Sequence, residues 1–382
     1  MFDDLHRPLG QTPARPRPKR PVLTWGRVGC AAALAVVIAG SAATAWLQPD
    51  LRHASYVPTP PPTAVSEKPV ERDSSPLPPP PSAPIVQRGP DGILAGNAET
   101  IPLDIRDPGS LRQPAQLAHL PEQDLLEDSP YGALPIRAED GRRPLDVYAG
   151  EPTSRMGTQI AIIVGGLGIS QTGTQYAVKT LPRSVTLAFA ASGNSLSRWM
   201  QDARREGHEL LLQVPMEPVG YPDVSPGPHT LTAESAEAGD MDELYWSLGR
   251  MTNYVGIMNF MGARLTADRE AVRALLSETA QRGLLYVDDG SSARSAAREV
   301  AVADSEPFAA ADLLIDRSQQ PGDIRAQLDA LERIARAKGS AIGIASAFES
   351  SVDAITAWAE EASERGIDLV PVSQLALDPE RR

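Results

Sequence analysis

The chain changes its hydrophobic rhythm near residue 158. Beyond it, short apolar runs alternate with amphipathic stretches, the signature of βα units. Ile160–Val164, Val185–Phe189, Glu209–Val214, Val255–Met258, Leu284–Val287, Leu313–Ile315, Ala341–Ile344 and Leu369–Val372 read as strands. Ser195–Glu206, Asp240–Met251, Ala267–Arg282, Asp323–Lys338 and Ser350–Arg365 read as helices. Gly207, Gly283, Gly339 and Gly366 each follow a helix and precede a strand, which is helix-ending glycine chemistry at four αβ junctions. Seven or eight such units within residues 158–378 predict an α/β fold, a β/α barrel of seven to eight strands. A doubly wound open sheet is the alternative.

The first part of the chain has no such alternation. Residues 1–27 are basic and proline-rich. Val28–Leu47 is an uncharged run of twenty residues, flanked by Trp25 and containing Trp46 near its end. At about 1.5 Å per helical residue it matches a hydrocarbon core of about 30 Å. The basic flank precedes it, so the expectation is a single-pass anchor in the inner (cytoplasmic) membrane with the C-terminal domain outside. Cleavage after Ala43-Thr-Ala45 and secretion is the alternative. Cys30 starts the apolar run, the wrong end for a lipoprotein site. Residues 48–157 read as a linker, with polyproline II expected at Pro58–Pro62 and Pro76–Pro81. Leu and Ile recur without a period in 101–150, consistent with short pieces packed on the domain.

Charge narrows the partners. Residues 158–378 carry 18 Lys and Arg against 30 Asp and Glu, a net of −12. Such a domain repels phosphate backbones, so nucleic acid is not an expected partner. Cys30 is the single cysteine, which excludes a disulfide framework and a cysteine metal site.

In a barrel, chemistry sits at the C-terminal strand ends. The first ends in Gly165-Gly166-Leu-Gly168, read as a tight turn into a helix starting near Ser170, or as space and backbone N–H groups for a ligand. A dinucleotide cradle is disfavoured, because Gln171 stands at the third glycine position. The third strand, Gly207-His-Glu…Gln213-Val-Pro-Met-Glu217-Pro, brings Gln213 to its end, followed by Glu217 as a base, a metal ligand or a loop residue. His208 begins that strand and reads as structural, and His229 lies in a loop. Asn259 and Arg264 follow the fourth strand as sugar hydrogen-bonders, although Arg264 could equally pair with an acid. The fifth ends in Asp288-Asp289-Gly-Ser291-Ser. Strand alternation lets one aspartate face the mouth while the other caps a helix near Ser292. Ser346 ends the seventh without the base that would make it a nucleophile.

These motifs in order — GGLG, GHE…PMEP, NFMGA, VDDGSS and AIGIAS — resemble the divergent polysaccharide deacetylases over residues 158–378. The resemblance implies a β/α barrel and metal-assisted removal of acetyl groups from a polysaccharide or peptidoglycan-like glycan. It also implies that Gly165-Gly166 replaces a pair of aspartates, and that Phe260 and Ser346 stand where relatives offer histidines. Gln213 is a feeble metal ligand at a position comparable to a metal-binding histidine. No metal ligand is therefore assigned, although the resemblance implies a divalent ion. Asp288, Asp289 and Glu217 remain as candidate catalytic acids, with Gln213, Asn259, Ser291 and Arg264 toward substrate. Two functions follow: an envelope glycan-modifying enzyme, or a non-catalytic anchored module that binds glycan or a partner.

Overall fold

The computed structural model describes residues 111–153 and 157–381. The expected anchor at 28–47 and both proline runs lie outside the described residues. No helix among the described residues is long and apolar enough to cross a membrane.

A parallel sheet dominates. In chain order its strands are β3 (Thr158–Leu167), β4 (Thr186–Ala190), β5 (Leu210–Met216), β6 (Gly256–Met261), β7 (Leu285–Asp288), β8 (Phe308–Ala310), β9 (Leu313–Leu314), β10 (Ser340–Ser346) and β11 (Ile367–Leu369). They pair in the order β8-β7-β6-β5-β4-β3-β10-β9, and β11 pairs with the first residues of β3. The two ends of this path, β8 and β9, are consecutive in sequence but do not pair with each other. The expected β/α barrel of seven to eight strands is a curled, open one, because Ala311 and Asp312 turn the chain from β7 toward β10. Ala311 N–H bonds Asp288 O and Asp312 N–H bonds Ile342 O.

Strand alternation divides the core in two. Ile160, Ile162 and Val164 pack with the helices, while Ala161 and Ile163 join Ala188, Leu211, Met258, Val287 and Ile344 in the interior. Burial on both faces makes the β3 run apolar throughout. The helices cover the outer face: α2 (Gln171–Thr180), α3 (Leu196–Arg205), α4 (Ala233–Glu237), α5 (Asp242–Leu248), α6 (Arg269–Gln281), α7 (Ala297–Asp304), α8 (Pro321–Lys338) and α9 (Glu349–Glu364). In α8, Ile324, Leu328, Leu331 and Ala335 form the buried stripe. Pro321 opens that helix, and Gly339 at φ +91° ends it. The other three junction glycines also have positive φ.

The folded part begins upstream of residue 158. A strap from the stretch read as linker holds a hairpin, β1 (Leu126–Ser129) with β2 (Gly132–Pro135), and the short helix α1 (Pro144–Val147). Leu125, Leu145, Val147 and Tyr148 enter the interior core from the N-terminal end of the sheet. Polar groups fasten the strap. Arg204, 5% exposed, donates to the carbonyls of Tyr148 and His208 at 2.9 and 3.0 Å. Its burial pulls the guanidinium down to about 10, so it remains charged at neutral pH. Asn253 donates to the carbonyls of Ala118 and Leu120. Arg143, buried, pairs with Asp146 and Asp378.

The GHE motif belongs to this closed end. The Glu209 carboxylate is fully buried and accepts from Gly150 N–H at 2.8 Å, Thr186 Oγ1 at 3.2 Å, and both the N–H and the hydroxyl of Ser373 in α10 (Val372–Leu375). His208 is also buried, with its ring nitrogens 3.0 and 3.2 Å from the carbonyls of Val185 and Val178. Burial lowers its pKa despite those contacts. Removing the Glu209 carboxylate leaves its donors without partners in a dry site. Glu209→Ala should cost about 3 kcal/mol in urea unfolding. A loss below about 1 kcal/mol would contradict this role for the carboxylate.

Candidate functional site

The open C-terminal end is the mouth. The interior residues Ile163, Ala188, Leu211, Met258, Val287 and Ile344 fix which face of each strand looks inward. Two residues further along the same faces stand Gly165, Ala190, Gln213, Phe260, Asp289 and Ser346. This inner ring holds one carboxylate, one amide and one hydroxyl.

Gly165-Gly166 is not a turn but a bulge within β3. Val164 pairs with Leu187 and Leu167 with Phe189, so β3 carries one extra residue there, and Gly166 has φ +77°. The bulge turns the Gly166 N–H toward Gln213, whose Oε1 accepts it at 2.6 Å. A Cβ at residue 165 would lie 2.8 Å from Gln213 Nε2. Gln213, 9% exposed, thus fills the space that a residue 165 side chain would need.

The two aspartates divide as alternation requires, but neither caps a helix near Ser292, because the next helix, α7, begins only at Ala297. Asp288 lies on the helix side with Tyr286, and its carboxylate accepts from Gly290 N–H at 2.9 Å and from the Ser295 hydroxyl. Asp289 lies on the inner face, half-buried, and accepts from Ser291 N–H at 2.8 Å. Burial holds the Asp289 carboxyl above the usual carboxylate range, although its hydrogen bonds oppose this. Ser291 contributes that backbone N–H and is itself exposed.

Asn259 sits on the helix side of β6 with Ile257, 2% exposed. Its Oδ1 accepts from Asp289 N–H and its Nδ2 donates to Met261 O, so its amide positions Asp289. Glu217 spends both carboxylate oxygens locally. Oε2 accepts from Ala233 N–H at the start of α4, and Oε1 pairs with Arg264 Nε at 2.8 Å. Arg264 is otherwise exposed and takes the ion-pair role that the sequence left open. His229 pairs with Glu243 at 2.7 Å and stacks on Trp246. Sequence reasoning missed Asp316, which follows the Leu313–Ile315 run. Its Oδ2 accepts from Ser346 N–H and the Ser351 hydroxyl, fixing the end of β10. An acid directly after an apolar run was the available signal.

The chain belongs to the divergent polysaccharide deacetylase family, whose pattern matches residues 162–376, more than half its length. A solved, uncharacterised protein of Agrobacterium tumefaciens is similar at 52% identity and TM-score 0.62, covering 64% of this chain and 99% of that one. An uncharacterised Haemophilus influenzae protein is 24% identical over 187 residues, covering 49% of this chain and 66% of that protein. The uncharacterised Escherichia coli protein YibQ is 23% identical over 187 residues, covering 49% and 57%.

The divalent ion implied by the family resemblance does not fit the mouth. Zinc asks for histidine, thiolate or carboxylate donors, and the ring offers Asp289 with an amide and a hydroxyl. Among the described residues, no three His, Cys, Asp or Glu side chains are grouped to hold a metal. An aspartate at 165 would also have to displace Gln213. Gly165→Asp should therefore cost about 1–2 kcal/mol by breaking the bond to Gly166. In a Gln213→Ala background that cost should shrink by about 1 kcal/mol. Strictly additive costs in urea unfolding would contradict the shared space.

Proposed function

We propose that this protein binds envelope glycan through its barrel mouth without performing metal-dependent deacetylation. The observation that carries this reading is Gln213, locked by the Gly166 N–H into the space next to residue 165. Family membership supports a carbohydrate-related role. Amide and hydroxyl groups beside exposed rings suit a neutral, hydroxyl-rich ligand, since they hydrogen-bond a sugar without requiring charge. Gln213 Nε2, Ser346 Oγ and the Asp289 carboxyl are the groups assigned to sugar hydroxyls, and Phe260, 42% exposed, is the apolar wall. Arg264 and Ser291 stand at the rim. Asp288 and Glu217 act on the loops rather than on the ligand, because their oxygens are already engaged.

We place the domain outside the cytoplasmic membrane, held there by the apolar run at 28–47; its sequence supports that topology.

The enzyme reading keeps one specific support, the half-buried Asp289 with its raised pKa. Metal analysis of the purified full chain, with acetate release measured on chitooligosaccharides and peptidoglycan, separates the two. The expected result is no stoichiometric metal and no acetate, while the glycan is still retained in a pull-down. Stoichiometric metal together with acetate release that is lost in Asp289→Ala would overturn the proposal.

A further inference from the structure

A cleft of about 700 Å³ opens beside the inner ring, between the first turns of α2 and α9. Gly165 and Gly166 line one side, and Ile169, Tyr176 and Phe348 stand in its walls. These three side chains are exposed, Ile169 at 58% and Phe348 at 45%. Large apolar groups left together in a concavity mark a ligand site more often than chance exposure.

The charge of the lining narrows the ligand. Glu349 is its charged member, and no Lys or Arg is among the described residues that line it. The Tyr176 hydroxyl, whose ring lines the cleft, donates to Asp353 behind it. Two helix starts face the cleft, and their partial positive charge alone would favour an anion. The first is capped by a side chain, and the second carries an acidic residue in its first turn without a side-chain cap. Ser170 Oγ accepts from Gly173 N–H in the first turn of α2, and the Glu349 side chain occupies the first position of α9.

Aromatic faces and carboxylates without a competing cation are the surroundings that an ammonium group prefers. The ring quadrupole attracts the cation and the carboxylate accepts its N–H groups. An uncharged acetamide gains neither term, and a phosphate or uronate would meet Glu349. We infer that the cleft binds the protonated amine of a de-N-acetylated hexosamine within a glycan, the amine toward Glu349 and the apolar sugar face on Phe348 and Ile169. This inference rests on the glycan-binding reading of the mouth. It makes the protein a reader of glycan from which acetyl groups have already been removed by another activity.

Calorimetric titration of the full chain with a glucosamine hexamer, its N-acetylated counterpart and a lysine-rich peptide tests the assignment. At about pH 6, where the amines are protonated, the glucosamine hexamer should bind about tenfold tighter than the acetylated one. Glu349→Gln, at an exposed position, should weaken it by about tenfold and leave the acetylated hexamer nearly unaffected, whereas Phe348→Ala removes the sugar-face contact and should weaken binding of the glucosamine hexamer by about tenfold without that selectivity. Equal affinity for the two hexamers, unchanged in both variants, overturns the amine assignment and leaves glycan binding standing. Tighter binding of the peptide than of the glucosamine hexamer overturns the sugar as the source of the amine. Failure of both hexamers to bind overturns the inference and the glycan reading together.

Discussion

A curled parallel sheet can keep a dry interior only if something closes its lower end, and here one buried carboxylate organises that closure. Glu209 sits where β5 begins and gathers donors from β4, from the strap and from α10. A buried charge is tolerable only when its hydrogen bonds are satisfied, so these elements are bound to one another's positions. Tyr148, Leu145 and Val147 then fill the space above it. With the bottom sealed, the C-terminal end of the sheet is left as the open end of the interior. The functional reading of the mouth therefore depends on a group at the opposite end of the barrel.

Much of this architecture was legible in the apolar runs and the glycines behind the helices, because parallel strands covered on both faces must be apolar and helix ends must turn. The strands missed are informative. Phe308–Ala310 is three residues long and follows Pro307, too short a run to stand out from a loop. The β1–β2 hairpin has no clean alternation, since its outer face covers other elements only in part. The expected strand Leu369–Val372 overlaps β11 (Ile367–Leu369) only at Leu369, because Pro371 ends the extended stretch and caps the start of α10.

The site was legible as a set of strand ends but not as a set of directions. Alternation alone foresaw that Asp288 and Asp289 would part company. The same rule turns Asn259 away from the mouth, yet that requires knowing which β6 residues enter the interior. Glu217 could not be resolved from sequence, because its partners, Ala233 and Arg264, lie 16 and 47 positions away and meet it only through folding. Gly165-Gly166 read as a turn because a bulge has no sequence signature apart from its glycines. Gln213 explains the pair: a side chain from β5 fills the volume that β3 leaves empty.

At the mouth, the Gln213 side chain packs into the space beside Gly165 rather than leaving it empty. Where the family resemblance implies metal ligands, Gln213 bonds the Gly166 N–H, and the mouth keeps an amide and a hydroxyl beside Asp289 and the exposed Phe260 ring. The most direct test of metal-free glycan binding there is the side-chain amide resonance of Gln213 during titration with a hexosamine oligomer, in the presence and absence of a chelator. The resonance should move on binding, and the affinity should be the same in both conditions. Binding that disappears with the chelator, or that leaves the Gln213 amide unmoved, would contradict metal-free binding at the mouth.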